Sequence, residues 1–179
     1  MSTGDAVDLN RRLAEVKLLV LDVDGVLTDG TLYLDNQGNE FKRFSVRDGL
    51  GLVLAMRAGL EVAVISGRIS KALSSRMKEL GVKRIYQGIF NKKEIFTKLL
   101  SETGFKREET AVIGDDLPDL PLLIMAGVSV TVPEAADEVK EQADIVTRTP
   151  GGYGAVRELV EMILKASGQW NDCVRSWTG

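Results

Sequence analysis

An apolar stretch that ends in two aspartates constrains this chain more than any other feature of its sequence. Residues 18–21 are all leucine or valine, and Asp22, Asp24 and Gly25 follow closely. A run without polar alternation predicts a strand that is buried on both faces, as in a parallel sheet. Ligands of open α/β sheets bind just beyond the carboxyl ends of the strands. The two carboxylates are therefore candidates for chemistry, and the alternative at this point is an acidic turn that only ends a strand.

Strand patterns and helix patterns alternate along the rest of the chain, which predicts a doubly wound parallel sheet in one α/β domain over residues 1–179. We expect its core at about 17–166 and a short mobile tail at 167–179. A period-two pattern around an Asn/Gly-rich loop predicts a small β-hairpin within 31–46. Further strands are predicted at 62–65, 85–87, 111–113, 128–132 and 145–147, and helices at 50–58 (capped by Asp48), 71–80, 92–100, 118–126, 134–142 and up to 165.

Composition restricts the chemistry that the chain can perform. The sequence has no histidine and a single cysteine, Cys173, so Ser-His and Cys-His nucleophile pairs and imidazole-based zinc sites are excluded. A metal would have to accept oxygen ligands, which points to Mg²⁺. The net charge of −3 argues against a nucleic-acid partner or an anionic membrane surface. No apolar run reaches the length of a membrane helix or resembles a signal peptide, so we expect a cytoplasmic protein.

Polar side chains follow several predicted strands, and the carboxyl ends of parallel strands meet at one edge of a sheet. Crowded carboxylates repel one another unless a cation neutralises them, and Mg²⁺ held by carboxylates, water and a phosphate would do so. Hydroxyl, backbone and ammonium donors nearby suit the oxygens of an anion. Together these groups predict phosphoryl transfer. The residues are Asp22, Asp24, Ser66, Lys92, Asp115, Asp116 and Asp119.

Four of these segments, in this order, resemble the motifs of the haloacid dehalogenase superfamily of phosphatases. The segments are 22–28, 66–67, Lys92 and 114–119. Within that superfamily, segments 24–30, 46–49, 66–68, 87–92 and 151–158 resemble the 3-deoxy-D-manno-octulosonate 8-phosphate phosphatases, with the likeness running from about 17 to 168. One departure is Val53, where the family often carries an arginine. The resemblance implies hydrolysis of a phosphorylated sugar acid in the synthesis of lipopolysaccharide precursors.

The resemblance also implies roles for individual residues. Asp22 would attack phosphorus and form an aspartyl-phosphate, and Asp24 would act as the acid and then as the base, with Ser66 and Lys92 completing the catalytic set. Mg²⁺ would be held by the Asp22 carboxylate, the Asp24 carbonyl and Asp115, with Asp116 and Asp119 behind them. The substrate contacts implied are Asp24, Ser45, Val46, Arg47, Asp48, Gly49, Gly67, Arg68, Arg76 and Lys92, with Arg68 and Arg76 reaching the substrate carboxylate.

The space between the motifs is too short for the inserted cap domain that many members of the superfamily use to close the site. Related phosphatases are tetramers in which a neighbour closes the site, so we expect a homotetramer, with the hairpin and the stretch from Gly151 as candidate walls. Three other interpretations stay open: a receiver-type signalling domain, a non-catalytic phospho-binding module, and a phosphatase of another sugar acid such as a nonulosonate 9-phosphate. The nine-carbon enzymes tend to have an acidic residue at Arg68, so Arg68 favours the eight-carbon substrate.

Overall fold

The structure is a computed structural model that describes residues 3–177, and a six-stranded parallel sheet forms its centre. A separate two-stranded antiparallel hairpin follows the first strand, as predicted, and no cap domain is present among these residues. The sheet strands are β1 (Leu18–Leu21), β4 (Glu61–Ile65), β5 (Arg84–Tyr86), β6 (Thr110–Ile113), β7 (Val128–Thr131) and β8 (Ile145–Val146), and the hairpin strands are β2 (Tyr33–Leu34) and β3 (Glu40–Phe41).

Helices cover both faces of the sheet. They are α1 (Thr3–Ala14), α2 (Val46–Arg57), α3 (Lys71–Leu80), α4 (Lys92–Thr103), α5 (Leu120–Leu123), α6 (Asp137–Gln142), α7 (Ala155–Ala166) and α8 (Trp170–Arg175), with short 3₁₀ turns at Arg107–Glu109 and Leu117–Asp119. Right-handed crossovers place α2 and α3 on one face and α4, α5 and α6 on the other. Helix α7 packs against α2 and α1, and its buried apolar side chains join the core.

Strand β1 lies in the middle of the sheet, in the order β5-β4-β1-β6-β7-β8. All four of its residues are buried, because β4 and β6 flank it and helices cover both faces. The chain runs from β1 toward β4 on one side and from β6 toward β7 on the other, so the connections diverge between β1 and β6. Such a switch point leaves a crevice at the carboxyl ends of the strands. The residues that follow β1 and β6 enter this crevice.

Two predicted boundaries near the hairpin are wrong. Strand β3 ends at Phe41 rather than continuing toward Val46, and α2 begins at Val46 instead of residue 50. The cap of α2 is Ser45, whose hydroxyl accepts hydrogen bonds from the backbone N–H groups of Arg47 and Asp48. The short polar side chain of Ser45 satisfies the free N–H groups of the first turn and so moves the start of the helix four residues earlier.

The two ends of the described chain form helices that the sequence patterns did not predict. Arg12 of α1 binds the Asp144 carboxylate and the Gly127 carbonyl and so ties α1 to the sheet. At the other end, α8 follows α7 after a short turn, and Trp170 lies beside the cations of Arg157 and Lys165. The mobility of the tail from 167 stays a prediction, and its residues 178–179 lie outside the described part.

Asp48 joins α2 to α7. Its side chain is buried, and Oδ1 accepts a hydrogen bond of 2.9 Å from the backbone N–H of Arg157 in the first turn of α7. The N-cap residue of α7 is Gly154, which has no side chain to cap with. Asp48 therefore caps a helix distant in sequence through Oδ1, and its predicted contact with the sugar stays a prediction.

Replacing Asp48 by alanine removes the cap that α7 receives from α2. We expect Asp48→Ala to lower the free energy of unfolding by about 1–2 kcal/mol, because the buried N–H of Arg157 loses its partner. Urea denaturation followed by circular dichroism measures the change. The exposed Asp137→Ala is the matched control and should change stability by less than about 0.5 kcal/mol. Equal stabilities for Asp48→Ala and the control would contradict the capping role.

Candidate active site

A buried cluster of three carboxylates and one ammonium lies at the switch point between β1 and β6. Lys92 Nζ donates to Asp22 Oδ1 at 2.5 Å and to Asp119 Oδ1 at 2.6 Å. The side chains of Lys92 and Asp22 are only 5% and 9% exposed. One oxygen each of Asp22, Asp115 and Asp119 lies within 4.8 Å of the others. The fold thus brings these residues together at the strand ends, as predicted.

Each member of this cluster is held by the backbone element that carries it. Lys92 is the first residue of α4, and the loop before it is tied back by the N–H of Ile89, which donates to the Ser66 carbonyl at 3.0 Å. Asp119 closes a 3₁₀ turn, and its Oδ2 accepts the N–H of Asp115 at 3.1 Å. Both carboxylate oxygens of Asp119 therefore already accept hydrogen bonds. Asp119 is placed to orient Lys92 and the Asp115 loop.

Burial and mutual repulsion change the protonation of the carboxylates. Burial, followed by the charge of Asp119, raises the pKa of Asp22 to about 7, although Lys92 opposes the shift. Burial and the charge of Asp22 raise the pKa of Asp115 to about 8. Burial by itself lowers the pKa of Lys92, but the charges of Asp22 and Asp119 outweigh it and the net shift is upward. Near neutral pH the metal-free site therefore holds protons that a cation would displace.

The donor set fits a hard divalent cation. When every group is ionised, three carboxylates face one ammonium, so the cluster carries two net negative charges. Carboxylate oxygens are the ligands that Mg²⁺ prefers, and it tolerates a site with few protein ligands. A Cβ at Gly25 would fall 2.0 Å from Asp115 Oδ2, so the carboxylate of Asp115 lies directly against the backbone that follows Asp24. Asp22 and Asp115 are therefore candidates to share one ion, and the Asp24 carbonyl stays a predicted third ligand.

The loop from 23 to 30 is fixed by short-range contacts. The buried Thr28 donates its hydroxyl to the Val23 carbonyl at 3.3 Å, and the same oxygen accepts the N–H groups of Gly25 and Gly30. Gly151 lies so close that an added Cβ would fall 1.7 Å from the Gly25 carbonyl oxygen. The glycine-rich stretch, predicted as a wall for a neighbour's site, therefore supports the catalytic loop of its own chain.

Asp24 lies within a second group of charges that sequence reasoning missed. Lys42 donates to Asp24 Oδ1 and lies 3.7 Å from Glu40 Oε1. Arg68 donates to Glu40 Oε2 at 2.7 Å and approaches Asp24 Oδ2 at 3.8 Å. The alternation of the hairpin strand was the available signal, because residues two apart such as Glu40 and Lys42 share one face. Nothing in the sequence showed that this face would fold over Asp24.

The remaining predicted site residues divide into two sets. Ser66 is buried with its Oγ accepting the N–H of Arg68 at 3.2 Å, and Gly67 follows at the same strand end. Asp116 is exposed and caps the N–H of Leu117, so it lies outside the buried cluster. The other set lies at the start of α2 and within α3. Ser45 caps α2, and Val46 and Arg47 are exposed. Arg76, in the middle of α3, lies against Gly49 and pairs with Glu79.

No helix within residues 3–177 is both long enough and apolar enough to cross a bilayer. Exposed apolar side chains instead gather on the hairpin, where Leu34 and Phe41 are 60% and 59% exposed.

Known proteins resemble this chain over nearly its whole length. The family model for haloacid dehalogenase-like hydrolases matches residues 83–159. The 3-deoxy-D-manno-octulosonate 8-phosphate phosphatase KdsC of Escherichia coli is 42% identical over 167 residues, which cover 93% of this chain and 89% of the relative.

Solved structures of the same enzyme superimpose closely on this fold. The phosphatase of Moraxella catarrhalis, in complex with magnesium, phosphate and KDO, gives a TM-score of 0.93 at 37% identity and covers 95% of this chain and 98% of that one. The cobalt-bound phosphatase of Haemophilus influenzae gives 0.89 at 42% identity, with 94% and 99% covered. On these likenesses the chain belongs to the haloacid dehalogenase-like hydrolases, in the family of the 3-deoxy-D-manno-octulosonate 8-phosphate phosphatases.

Proposed function

We propose that this protein is a magnesium-dependent phosphomonoesterase that hydrolyses 3-deoxy-D-manno-octulosonate 8-phosphate to the free sugar acid and phosphate. The observation that carries the proposal is the buried Asp22–Lys92–Asp119 cluster beside Asp115 at the switch point of the sheet. Relatives named for this reaction, at 42% identity, support the choice of substrate.

Asp22 is the nucleophile in this proposal. It directly follows the central strand, and its N–H donates to the Ile113 carbonyl at 3.0 Å, which fixes its backbone. Lys92 engages only Oδ1, which leaves Oδ2 to attack phosphorus and form an aspartyl-phosphate. Asp24 gives a proton to the departing sugar oxygen and then takes one from the water that hydrolyses the intermediate. Ser66 and Lys92 donate to the phosphate oxygens.

The Asp22 carboxylate, the Asp24 carbonyl and Asp115 would hold the Mg²⁺ ion, and Asp119 would support these ligands through its bonds to Lys92 and the Asp115 N–H. Asp116, which caps the turn after Asp115, would support them through that turn. The bound cation would supply positive charge to the phosphate oxygens as phosphorus is transferred. Asp119 fixes Lys92 and the Asp115 backbone, so the protein donors stay in place during the reaction.

The substrate carries a carboxylate besides its phosphate, and Arg68 is suited to that group. Its guanidinium is 46% exposed and lies at the Asp24 edge of the site, where a sugar leaving group would be. Arginine binds carboxylates with two parallel hydrogen bonds. The other proposed substrate contacts, which no described contact tests, are Ser45, Val46, Arg47, Asp48, Gly49, Gly67 and Arg76.

A screen of phosphate esters with and without Mg²⁺ tests the proposed reaction. The expected best substrate is the eight-carbon sugar-acid phosphate. Preference for a nonulosonate 9-phosphate would support the second candidate and contradict the assignment based on Arg68. Binding without any phosphate release would support a non-catalytic phospho-binding module.

Replacing Asp22 by asparagine removes the attacking oxygen while preserving the shape of the side chain. We expect Asp22→Asn to lower kcat at least about 10³-fold, because no other group can form the covalent intermediate. Phosphate release at saturating substrate measures the loss, and circular dichroism checks the fold. The exposed Asp137→Asn should behave as wild type. A folded Asp22→Asn with more than a tenth of wild-type kcat would refute the assignment.

Magnesium should stabilise the protein more at pH 8 than at pH 6. Asp22 and Asp115 have raised pKa values of about 7 and 8 in the folded metal-free protein, whereas an aspartate of the unfolded chain has a pKa of 3.8. The stability that this difference contributes is fully present below pH 3.8 and is lost as the pH rises toward 8. At pH 8 more of these carboxylates are ionised, so Mg²⁺ relieves a larger repulsion among them and displaces fewer protons when it binds.

Thermal denaturation with and without Mg²⁺ at the two pH values measures this difference. Asp115→Asn should remove most of the stabilisation by Mg²⁺ at both. An equal stabilisation of the wild-type protein at pH 6 and pH 8 would contradict displacement of protons from these carboxylates.

We also propose a homotetramer in which a neighbouring subunit covers the site. The proposed location is cytoplasmic. The exposed side chains of Leu32, Leu34 and Phe41 on the hairpin support an interface there, since monomers rarely expose such a patch. Without a cap domain, water exclusion has to come from elsewhere.

Light scattering should give the mass of four chains. Leu34→Glu should shift the protein toward smaller species, because a charge would be buried in the interface, and activity on the sugar-acid phosphate should fall with it. Ile124→Glu, at an exposed apolar position after α5, is the control and should leave the mass unchanged. A monomeric wild-type protein with full activity would rule out closure by a neighbour.

A further inference from the structure

We propose that Lys42 is a positioning residue that fixes the Asp24 carboxylate, so that Oδ2 is the oxygen that transfers the proton. The inference rests on the proposed phosphatase function and adds a residue from the hairpin to the machinery of the strand ends.

The two oxygens of Asp24 have different surroundings. Oδ1 accepts a hydrogen bond from the ammonium of Lys42. Arg68 Nε lies 3.8 Å from Oδ2, which is beyond hydrogen-bond distance. Within residues 3–177 no hydrogen bond to Oδ2 is formed. The Asp24 side chain is a quarter exposed, so a substrate oxygen can reach Oδ2.

Lys42 is itself held in one place. Its side chain is 2% exposed, and a buried ammonium is costly unless it stays paired. Two carboxylates face it: Asp24, which it hydrogen-bonds, and Glu40, whose Oε1 is 3.7 Å away and has no hydrogen-bond partner. Arg68 holds the other oxygen of Glu40 at 2.7 Å. The hydrogen bond from Lys42 to Asp24 therefore holds the ammonium in place, and it joins the hairpin to the loop that carries Asp24.

This arrangement assigns the proton steps to one atom. In the first step Asp22 forms a bond to phosphorus while the bond from phosphorus to the departing oxygen breaks. The departing oxygen keeps that bonding electron pair and takes the proton from Asp24 Oδ2. Asp24 becomes a carboxylate that faces the Lys42 ammonium. In the second step a water attacks phosphorus and gives a proton to Oδ2, while the bond from phosphorus to Asp22 breaks and its electrons return to Asp22. Lys42 keeps its protons throughout.

A comparison of leaving groups separates this role from a merely structural one. An alkoxide needs the proton from Asp24, whereas 4-nitrophenolate leaves without much help. We expect Lys42→Met to lower kcat/KM on the sugar-acid phosphate about 10- to 100-fold, because kcat/KM reports the formation of the aspartyl-phosphate, in which Asp24 protonates the leaving oxygen. On 4-nitrophenyl phosphate kcat/KM should stay within about threefold of wild type. Hydrolysis of the aspartyl-phosphate is the same step for both esters, so its effect on kcat does not enter this comparison. Asp24→Asn should show the same selectivity with a larger loss.

Lys42→Arg should recover most of the lost kcat/KM because it restores a cation on Oδ1, and the exposed Lys93→Met should match wild type. If Lys42→Met does not fold, the pair Lys42→Met with Glu40→Gln keeps the charge balanced and should show the same selectivity. The ester preference of the wild-type protein tests the proposed function, and the ratio of variant to wild-type kcat/KM on each ester tests Lys42. An equal loss of kcat/KM on both esters, or no loss on the sugar-acid phosphate, would overturn the proposal.

Discussion

The ion pairs of Lys92 with Asp22 and Asp119 are the interaction on which the rest of the site depends. They join the end of β1, the start of α4 and the turn after β6 at a single buried point. Carboxylates crowded in this way destabilise the fold unless positive charge balances them. One lysine leaves the cluster short of two positive charges. A site suited to a divalent cation therefore follows from the same charges that hold the three segments together.

Close backbone contacts support the loops around this cluster. Gly25 leaves room for the Asp115 carboxylate, and Gly151 lies against the Gly25 carbonyl. A side chain at either position would displace the loop that carries Asp24. The distant segment that contains Gly151 also begins α7, which Asp48 caps from α2. A few contacts thus couple the position of the Asp24 loop to the packing of α2 against α7. Asp48, for which the sequence predicted a contact with the sugar, also has a structural role in this packing.

The sequence predicted the sheet and the carboxylate cluster because both follow from local patterns: apolar runs mark the strands, and polar residues at strand ends must converge in a parallel sheet. It predicted less where the outcome depends on distant contacts. Ser45 rather than Asp48 caps α2, and the Asp48 side chain instead accepts a hydrogen bond from the first turn of α7. Lys42 was missed because only the folded hairpin brings it to Asp24. Helix α1 was missed because its segment is polar overall, and α8 was missed because it has only six residues.

The central claim is that Asp22 carries the phosphoryl group between substrate and water. Trapping this species tests the claim most directly: the enzyme is mixed with excess sugar-acid phosphate and Mg²⁺, quenched in acid during turnover, and digested for peptide mass spectrometry. The account predicts a single phosphorylated peptide, with the phosphate on Asp22 and absent in Asp22→Asn. Phosphate on another residue, or turnover without any phosphorylated peptide under conditions that preserve acyl phosphates, would contradict it.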